Sequence, residues 1–305
     1  MASLKITLGP LELQNPVCAS SGTFGYGHEY EDFIDPSCLG ALFTKGITLK
    51  PREGNPPPRL CETPSGLLNS IGLENPGLEV FLEEEAPRLG QYACKVIVNI
   101  SGDTIDEYAD LAGELNSCEY IDGMELNASC PNVERGGMTF GTDPGILFDL
   151  TFAVRGKTTL PLIVKLTPNV GDIVPLAQAA KEGGADAVHI CNTFLGMAID
   201  IDTFRSRLCR DYAGLSGPAI HPLALRLVHR VASSIEIPII GGGGIWETRD
   251  ALEFLIAGAS AVSLGTVNYT HPQRATEVIS GIEAYLDERH LKLLDLIGCF
   301  RSCEN

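Results

Sequence analysis

The sequence predicts an α/β fold, a (β/α)8 TIM barrel with its active site at the C-terminal ends of the strands, and three observations carry that prediction. Short apolar or β-branched runs alternate with segments of helical spacing almost to the end of the chain. Runs such as 96–100 (VIVNI) are apolar nearly throughout, as strands buried on both faces are. Eight strand–helix units within 305 residues suit a closed barrel better than an open sheet. Alternation of this kind makes the strands parallel, because a parallel pair needs a crossover connection rather than a tight turn. An open doubly wound sheet is the alternative arrangement of the same units.

Taken in order, the strand candidates are 16–20, 41–45, 95–100, 120–127, 162–167, 187–192, 237–242 and 261–265. Helical spacing marks 78–89, 105–115, 173–180, 219–231, 248–256 and 275–285. Between the second strand and the first of these helices lies a long irregular insertion, 48–76, whose prolines and turn residues prevent any long helix. An insertion of that length in a compact domain is usually functional. No linker, low-complexity tract or internal repeat interrupts the chain, so 1–305 reads as a single domain.

Composition excludes several function classes. Acidic residues outnumber basic ones by 39 to 22, and a net charge of −17 repels phosphate backbones and anionic lipid. No apolar run approaches the roughly 18 residues of a membrane span, and the first residues lack a basic region followed by an apolar stretch, so a cytoplasmic protein is expected. Ten cysteines are scattered without a CxxC pair, which points to reduced, mostly buried thiols and to no metal site.

In a barrel the C-terminal strand ends share one mouth, so polar residues at those ends are the informative ones. Turn chemistry alone explains many of the Ser, Asn and Gly residues found there. It does not explain Lys45 and Lys165, each of which ends an apolar run (ALFTK, LIVK) and needs an anionic or electron-rich ligand to balance it. Glycines at 241–244 and at Gly265, the last two exits, let backbone amides approach a phosphate. The densest segment is ELNASCPN, 125–132, where Asn127 and Asn132 can read the amide and carbonyl edges of a flat ligand. Cys130 lies between them in a loop made rigid by Pro131, which raises it above the other nine cysteines as a base or nucleophile. His189 falls inside a strand, His229 and His290 in helical segments, and His28, His221 and His271 at loops or helix starts. A Cys/His hydrolase is therefore disfavoured and a proton-abstracting cysteine fits better.

Eight blocks, in order, resemble one family: NPVCASSGTFGYG, LFTKGITLKPREGNPPPR, LNSIGLENPG, ELNASCPNVERGGMTFGTDP, LIVKLTPN, CNTFLGMAID, GLSGPAIHPLALR and GASAVSLGT. They resemble the flavin-containing dihydroorotate dehydrogenases of pyrimidine biosynthesis, over about residues 5–290. The cysteine of SCPN is similar to the class 1 enzymes. LKPREGNPPPR and GLSGPAIHP look like the NAD-linked class 1B catalytic subunit rather than the fumarate-linked class 1A. A related flavin-dependent dihydropyrimidine oxidoreductase is a further alternative, and a flavin-free barrel binding phosphorylated ligands is one from another class.

The resemblance implies FMN on this chain, FAD and a [2Fe-2S] cluster on an electron-transfer partner subunit, and a homodimer within a 2+2 heterotetramer. It implies Cys130 as the base that takes the C5 proton of dihydroorotate while hydride leaves C6 for FMN. Substrate contacts fall by resemblance on Lys45, Asn69, Ser70, Ile71, Gly72, Leu73, Asn127, Asn192 and Thr193. FMN contacts fall on Ser21, Lys45, Gly46, Asn99, Asn127, Lys165, Cys191, Gly217, Gly243, Gly244, Gly265 and Thr266. Ser20 stands where the family usually has Ala, and the tail 291–305, with Cys299 and Cys303, matches nothing in the pattern. The stretches 48–76 and 134–143 are candidate lids over the mouth.

Overall fold

Every apolar run named above contains one strand of a closed parallel barrel in the structure, a computed structural model that describes residues 2–128 and 140–302. The strands are β1 (Val17–Ala19), β2 (Ala41–Phe43), β3 (Lys95–Ile100), β4 (Gly123–Asn127), β5 (Leu162–Leu166), β6 (Ala187–Ile190), β7 (Ile239–Gly242) and β8 (Ala261–Leu264). They neighbour one another in sequence order, and β8 closes on β1 with Val262 opposite Val17. Closure excludes the open sheet. β5 is buried along its whole length, including the stem of Lys165. Apolar residues fill both the ring and the layer between ring and helices, so one core runs from Ile6 to Leu296.

The helices sit where apolar stripes and caps coincide. Ile105–Leu115 buries Tyr108, Leu111, Ala112 and Leu115 on one face, and the Thr104 side chain accepts a hydrogen bond from the Glu107 amide to cap it. Thr248–Ala257 starts in a reciprocal Glu247/Asp250 box and stops at Gly258, whose φ of 116° ends the helix in the left-handed region. Three features depart from expectation. β1 is followed only by the 3-10 turns His28–Tyr30 and Pro36–Cys38. Pro144–Arg155, absent from the predicted helices, is present, with Asp143 as its cap and Leu147, Leu150, Thr151 and Val154 buried. The helix predicted over 78–89 contains a π turn, Phe81–Glu85, placed just before Pro87, which has no amide to donate back to Glu83.

The insertion 48–76 holds no long helix, as expected, but it is not irregular throughout. Leu60–Thr63 and Gly66–Asn69 form a hairpin. Its second strand pairs antiparallel with Ala213–Ser216, which pairs with Phe194–Gly196, giving a four-stranded sheet beside the mouth. A satellite core of Cys61, Leu68, Leu208 and Ala213 lies under it. The second insertion, between β6 and the helix His221–Ala232, was not legible from periodicity because its strands are two to four residues long. At the opposite end the hairpin Ile6–Leu8/Leu11–Leu13 lies by the start of β6, where Gly9 approaches Asp186.

No helix among the described residues is long and apolar enough to cross a membrane. Of the described cysteines, Cys18, Cys61, Cys94 and Cys191 are buried, Cys38, Cys118 and Cys209 half-buried and Cys299 exposed, all as free thiols. Burial, expected for most of the thiols, is complete for four of these eight.

Candidate active site

The C-terminal strand ends and the four-stranded sheet enclose a cavity of ≈ 770 Å³, within the size range of small-molecule and cofactor sites. Its base is polar. Lys165 on β5 donates to the Ser21 hydroxyl at 3.0 Å and stands 3.8 Å from Glu125 on β4. Glu125 is fully buried; one oxygen accepts from Asn99 at 2.5 Å and the other meets His189 Nδ1 at 2.5 Å. Burial alone would push the Glu125 carboxyl up, but Lys165, His189 and the hydrogen bonds from His189 and Asn99 outweigh it and hold it down at about 2. Burial, assisted by the Lys165 charge, keeps His189 below the usual imidazole range against the pull of Glu125, which favours the neutral ring. The base of the cavity is thus an ammonium balanced by one carboxylate.

One wall is built of glycine. Gly217, Gly243 and Gly244 have φ values of 95°, 131° and 76°, which disfavour any other residue. A Cβ on Gly244 would lie 2.7 Å from the His221 amide nitrogen and 2.8 Å from the Gly217 oxygen. The turn must therefore be bare for β7 to meet the start of the helix His221–Ala232. Gly265 and Thr266 continue this wall after β8, and the Thr266 hydroxyl donates to Ser216 at 2.8 Å. Glycine backbone near a helix start can hold an anionic group.

The rest of the lining carries amides and Lys45. Asn192 donates to the Asn127 side-chain oxygen at 3.2 Å, and Asn69 donates to the Gly214 carbonyl at 3.2 Å, which ties the first insertion to the second. Lys45 lies 3.8 Å from Glu74, which also pairs with Arg59. Ser70, Ile71, Gly72 and Leu73 follow the hairpin and line the same cavity, as do Gly46, Cys191 and Thr193. Burial pushes the Cys191 thiol up to about 12, partly offset by Lys165, so this cysteine remains a neutral thiol.

A model of the dihydroorotate dehydrogenase family matches residues 3–286. The chain belongs to the dihydroorotate dehydrogenase family. Among relatives in the family, the catalytic subunit of dihydroorotate dehydrogenase B (NAD(+)) from Thermoanaerobacter pseudethanolicus is 53% identical over 300 residues, covering 98% of this chain and 99% of that protein. The subunits of the same name from Alkaliphilus metalliredigens and Pelobacter propionicus are each 49% identical. They cover 95% and 97% of this chain, and 96% and 97% of their own lengths.

Of the residues assigned by resemblance to the dihydroorotate dehydrogenase pattern, all lie in the lining of this one cavity except Cys130, which falls outside the described residues together with Asn132. Of the second candidate lid, 134–139 falls outside them too, while Thr142 lines the cavity. Sequence reasoning gave no role to Glu125, His189 or Ser263, and it missed Asn169, which donates to the Thr193 carbonyl at 3.0 Å. The one available signal was a charged residue inside an apolar strand, Glu125 in GMELN.

Proposed function

We propose that this chain is the FMN-binding catalytic subunit of an NAD-linked dihydroorotate dehydrogenase, oxidising dihydroorotate to orotate in pyrimidine biosynthesis. The observation that carries this reading is the convergence of Lys45, Asn127, Lys165 and Asn192 with the glycine wall around one cavity. Identity near 50% to NAD(+)-linked catalytic subunits along almost the whole chain supports it.

The cavity fits FMN in size and in donor chemistry. Gly217, Gly243, Gly244, Gly265 and Thr266 would hold the phosphate end, where a side chain at Gly244 would close the turn. Ser21, Gly46, Asn99, Asn127, Lys165 and Cys191 would hold the remainder, with Lys45 shared between cofactor and substrate. When bound, FMN supplies the acceptor for the hydride from C6 of the substrate.

The protein's own groups do the rest. Cys130, as thiolate, takes the C5 proton. Lys165 would present positive charge to the bound cofactor, favouring its reduced state, and Glu125 holds that ammonium in place. Asn69, Asn127, Asn192 and Thr193 orient the pyrimidine ring and its carboxylate, with Ser70, Ile71, Gly72 and Leu73 closing around it. An unpaired amide in such a site costs about 1 to 3 kcal/mol, which rejects analogues lacking the partner group. A partner subunit carrying FAD and [2Fe-2S], in a 2+2 assembly in the cytoplasm, would pass the electrons on to NAD. Ile201 and Phe204, 80% and 87% exposed in the second insertion, support a protein partner.

Anaerobic mixing of the purified yellow protein with dihydroorotate tests the reading. Absorbance near 450 nm should bleach with dihydroorotate and not with dihydrouracil. Cys130→Ala should stay yellow and lose the bleaching. A colourless protein, or bleaching by dihydrouracil alone, overturns the assignment.

A further inference from the structure

Below the cavity runs a chain of hydrogen bonds that the proposed reaction does not use. Glu125 Oε1 meets His189 Nδ1 at 2.5 Å, His189 Nε2 meets the Ser263 hydroxyl at 2.6 Å, and the Ser263 and Ser20 hydroxyls are 2.9 Å apart. Glu125, His189 and Ser263 are each at most 1% exposed, whereas Ser20 is half-buried; of the four, Ser20 and Ser263 line the cavity. The chain therefore begins at a sealed carboxylate and ends at the site. Gly242 keeps room for it, since a Cβ there would fall 2.3 Å from Ser263 Oγ and 3.1 Å from His189 Nε2.

The direction of every bond follows from its sealed end. Glu125 already accepts from Asn99 and faces the Lys165 ammonium, so it acts as an acceptor toward His189. The neutral ring then carries its proton on Nδ1, which leaves Nε2 bare. A bare Nε2 can only accept, so Ser263 donates to it. Ser263 has a single proton and has used it, so it accepts from Ser20. Ser20 in turn has spent its proton inward and offers only lone pairs to the cavity. A serine free in a pocket can serve as donor or acceptor; this one is committed.

We propose that Glu125, His189 and Ser263 orient the Ser20 hydroxyl as a dedicated acceptor, which takes a hydrogen bond from an N–H or O–H group of the bound cofactor. The inference rests on the FMN reading above. Ser20 touches the cofactor, while His189 and Ser263 are positioning residues.

Two measurements test it. In the apoprotein, 15N spectra of labelled histidine should show His189 with an unprotonated Nε2 that shifts in Ser263→Ala. A protonated Nε2 would reverse the direction of the chain and overturn the proposal. In titrations of folded apoprotein with FMN, Ser20→Ala should raise Kd about 3- to 10-fold, the loss of one hydrogen bond. Ser20→Thr, which keeps the hydroxyl, should restore it. Wild-type affinity in Ser20→Ala overturns the proposal. Failure of the wild-type protein to bind FMN would instead overturn the functional reading. Lumiflavin, which keeps the ring N–H and lacks the ribityl hydroxyls, separates the two donors. A persisting Ser20→Ala penalty assigns the ring, and a vanished one assigns the ribityl chain.

Discussion

Glu125 is a fully buried carboxylate, held ionised by an ammonium, an amide and an imidazole. Its folded value of about 2 lies below the ordinary 4.5, so the unfolded chain takes up this proton first as pH falls. The stabilisation is complete above pH 4.5 and is lost between 4.5 and about 2. His189, held below its ordinary 6.5, adds loss of the same sign beginning below that pH. Glu125→Gln should lower stability at pH 7 by on the order of 3 kcal/mol, because Lys165 loses its counter-charge. It should also flatten the fall in urea midpoint below pH 4.5; an unchanged acid limb would show that the carboxylate is not ionised in the fold. Lys45, Lys165, Asn99, Asn127 and Asn192 were readable because they stand at or near strand exits, where polarity interrupts an apolar run, whereas Asn69 came only from the resemblance. The Glu125–His189 pair was not, since its members lie 64 residues apart and meet only across the ring.

At the scale of elements, the mouth depends on one crossing. A Cβ on Gly66 would lie 2.2 Å from the Ser216 carbonyl, and one on Gly217 would lie 2.8 Å from Gly66 Cα. Gly66→Ala should displace the hairpin that carries Asn69 to Leu73, a strain of about 1 to 3 kcal/mol. We expect KM for dihydroorotate to rise about tenfold or more while FMN remains bound and the melting temperature moves little, since the buried side chains of this sheet form a small cluster of their own. Unchanged KM would mean that the hairpin does not position the substrate. Barrel strands were legible because burial on both faces leaves a continuous apolar run. The mouth sheet was not, because Gly66–Asn69 finds its partner at Ala213–Ser216 through backbone pairing that leaves no pattern in the intervening residues. The π turn before Pro87 was hidden for a similar reason, as periodicity registers the helix and not its local winding.

For the molecule as a whole, one apolar core joins the first hairpin to the last short helix, Leu293–Leu296. Single-domain behaviour is therefore expected. Urea unfolding followed by fluorescence of Trp246, the one tryptophan, should coincide with the loss of far-ultraviolet circular dichroism. Separate midpoints would divide the chain into two cooperative units. The mouth sheet, resting on four buried side chains, should exchange its amide hydrogens faster than β3 to β6. Strand order was predictable because sequential parallel strands joined by crossover helices have few ways to close.

The sheet beside the mouth is made from two stretches of chain that lie far apart in the sequence yet share one hydrogen-bonded seam. Neither stretch can be swapped for that of a cousin by itself: a graft that imported only one would bring mismatched edges to the seam. Engineering of substrate range in this scaffold must therefore transplant both pieces together, as a single cassette written in two places.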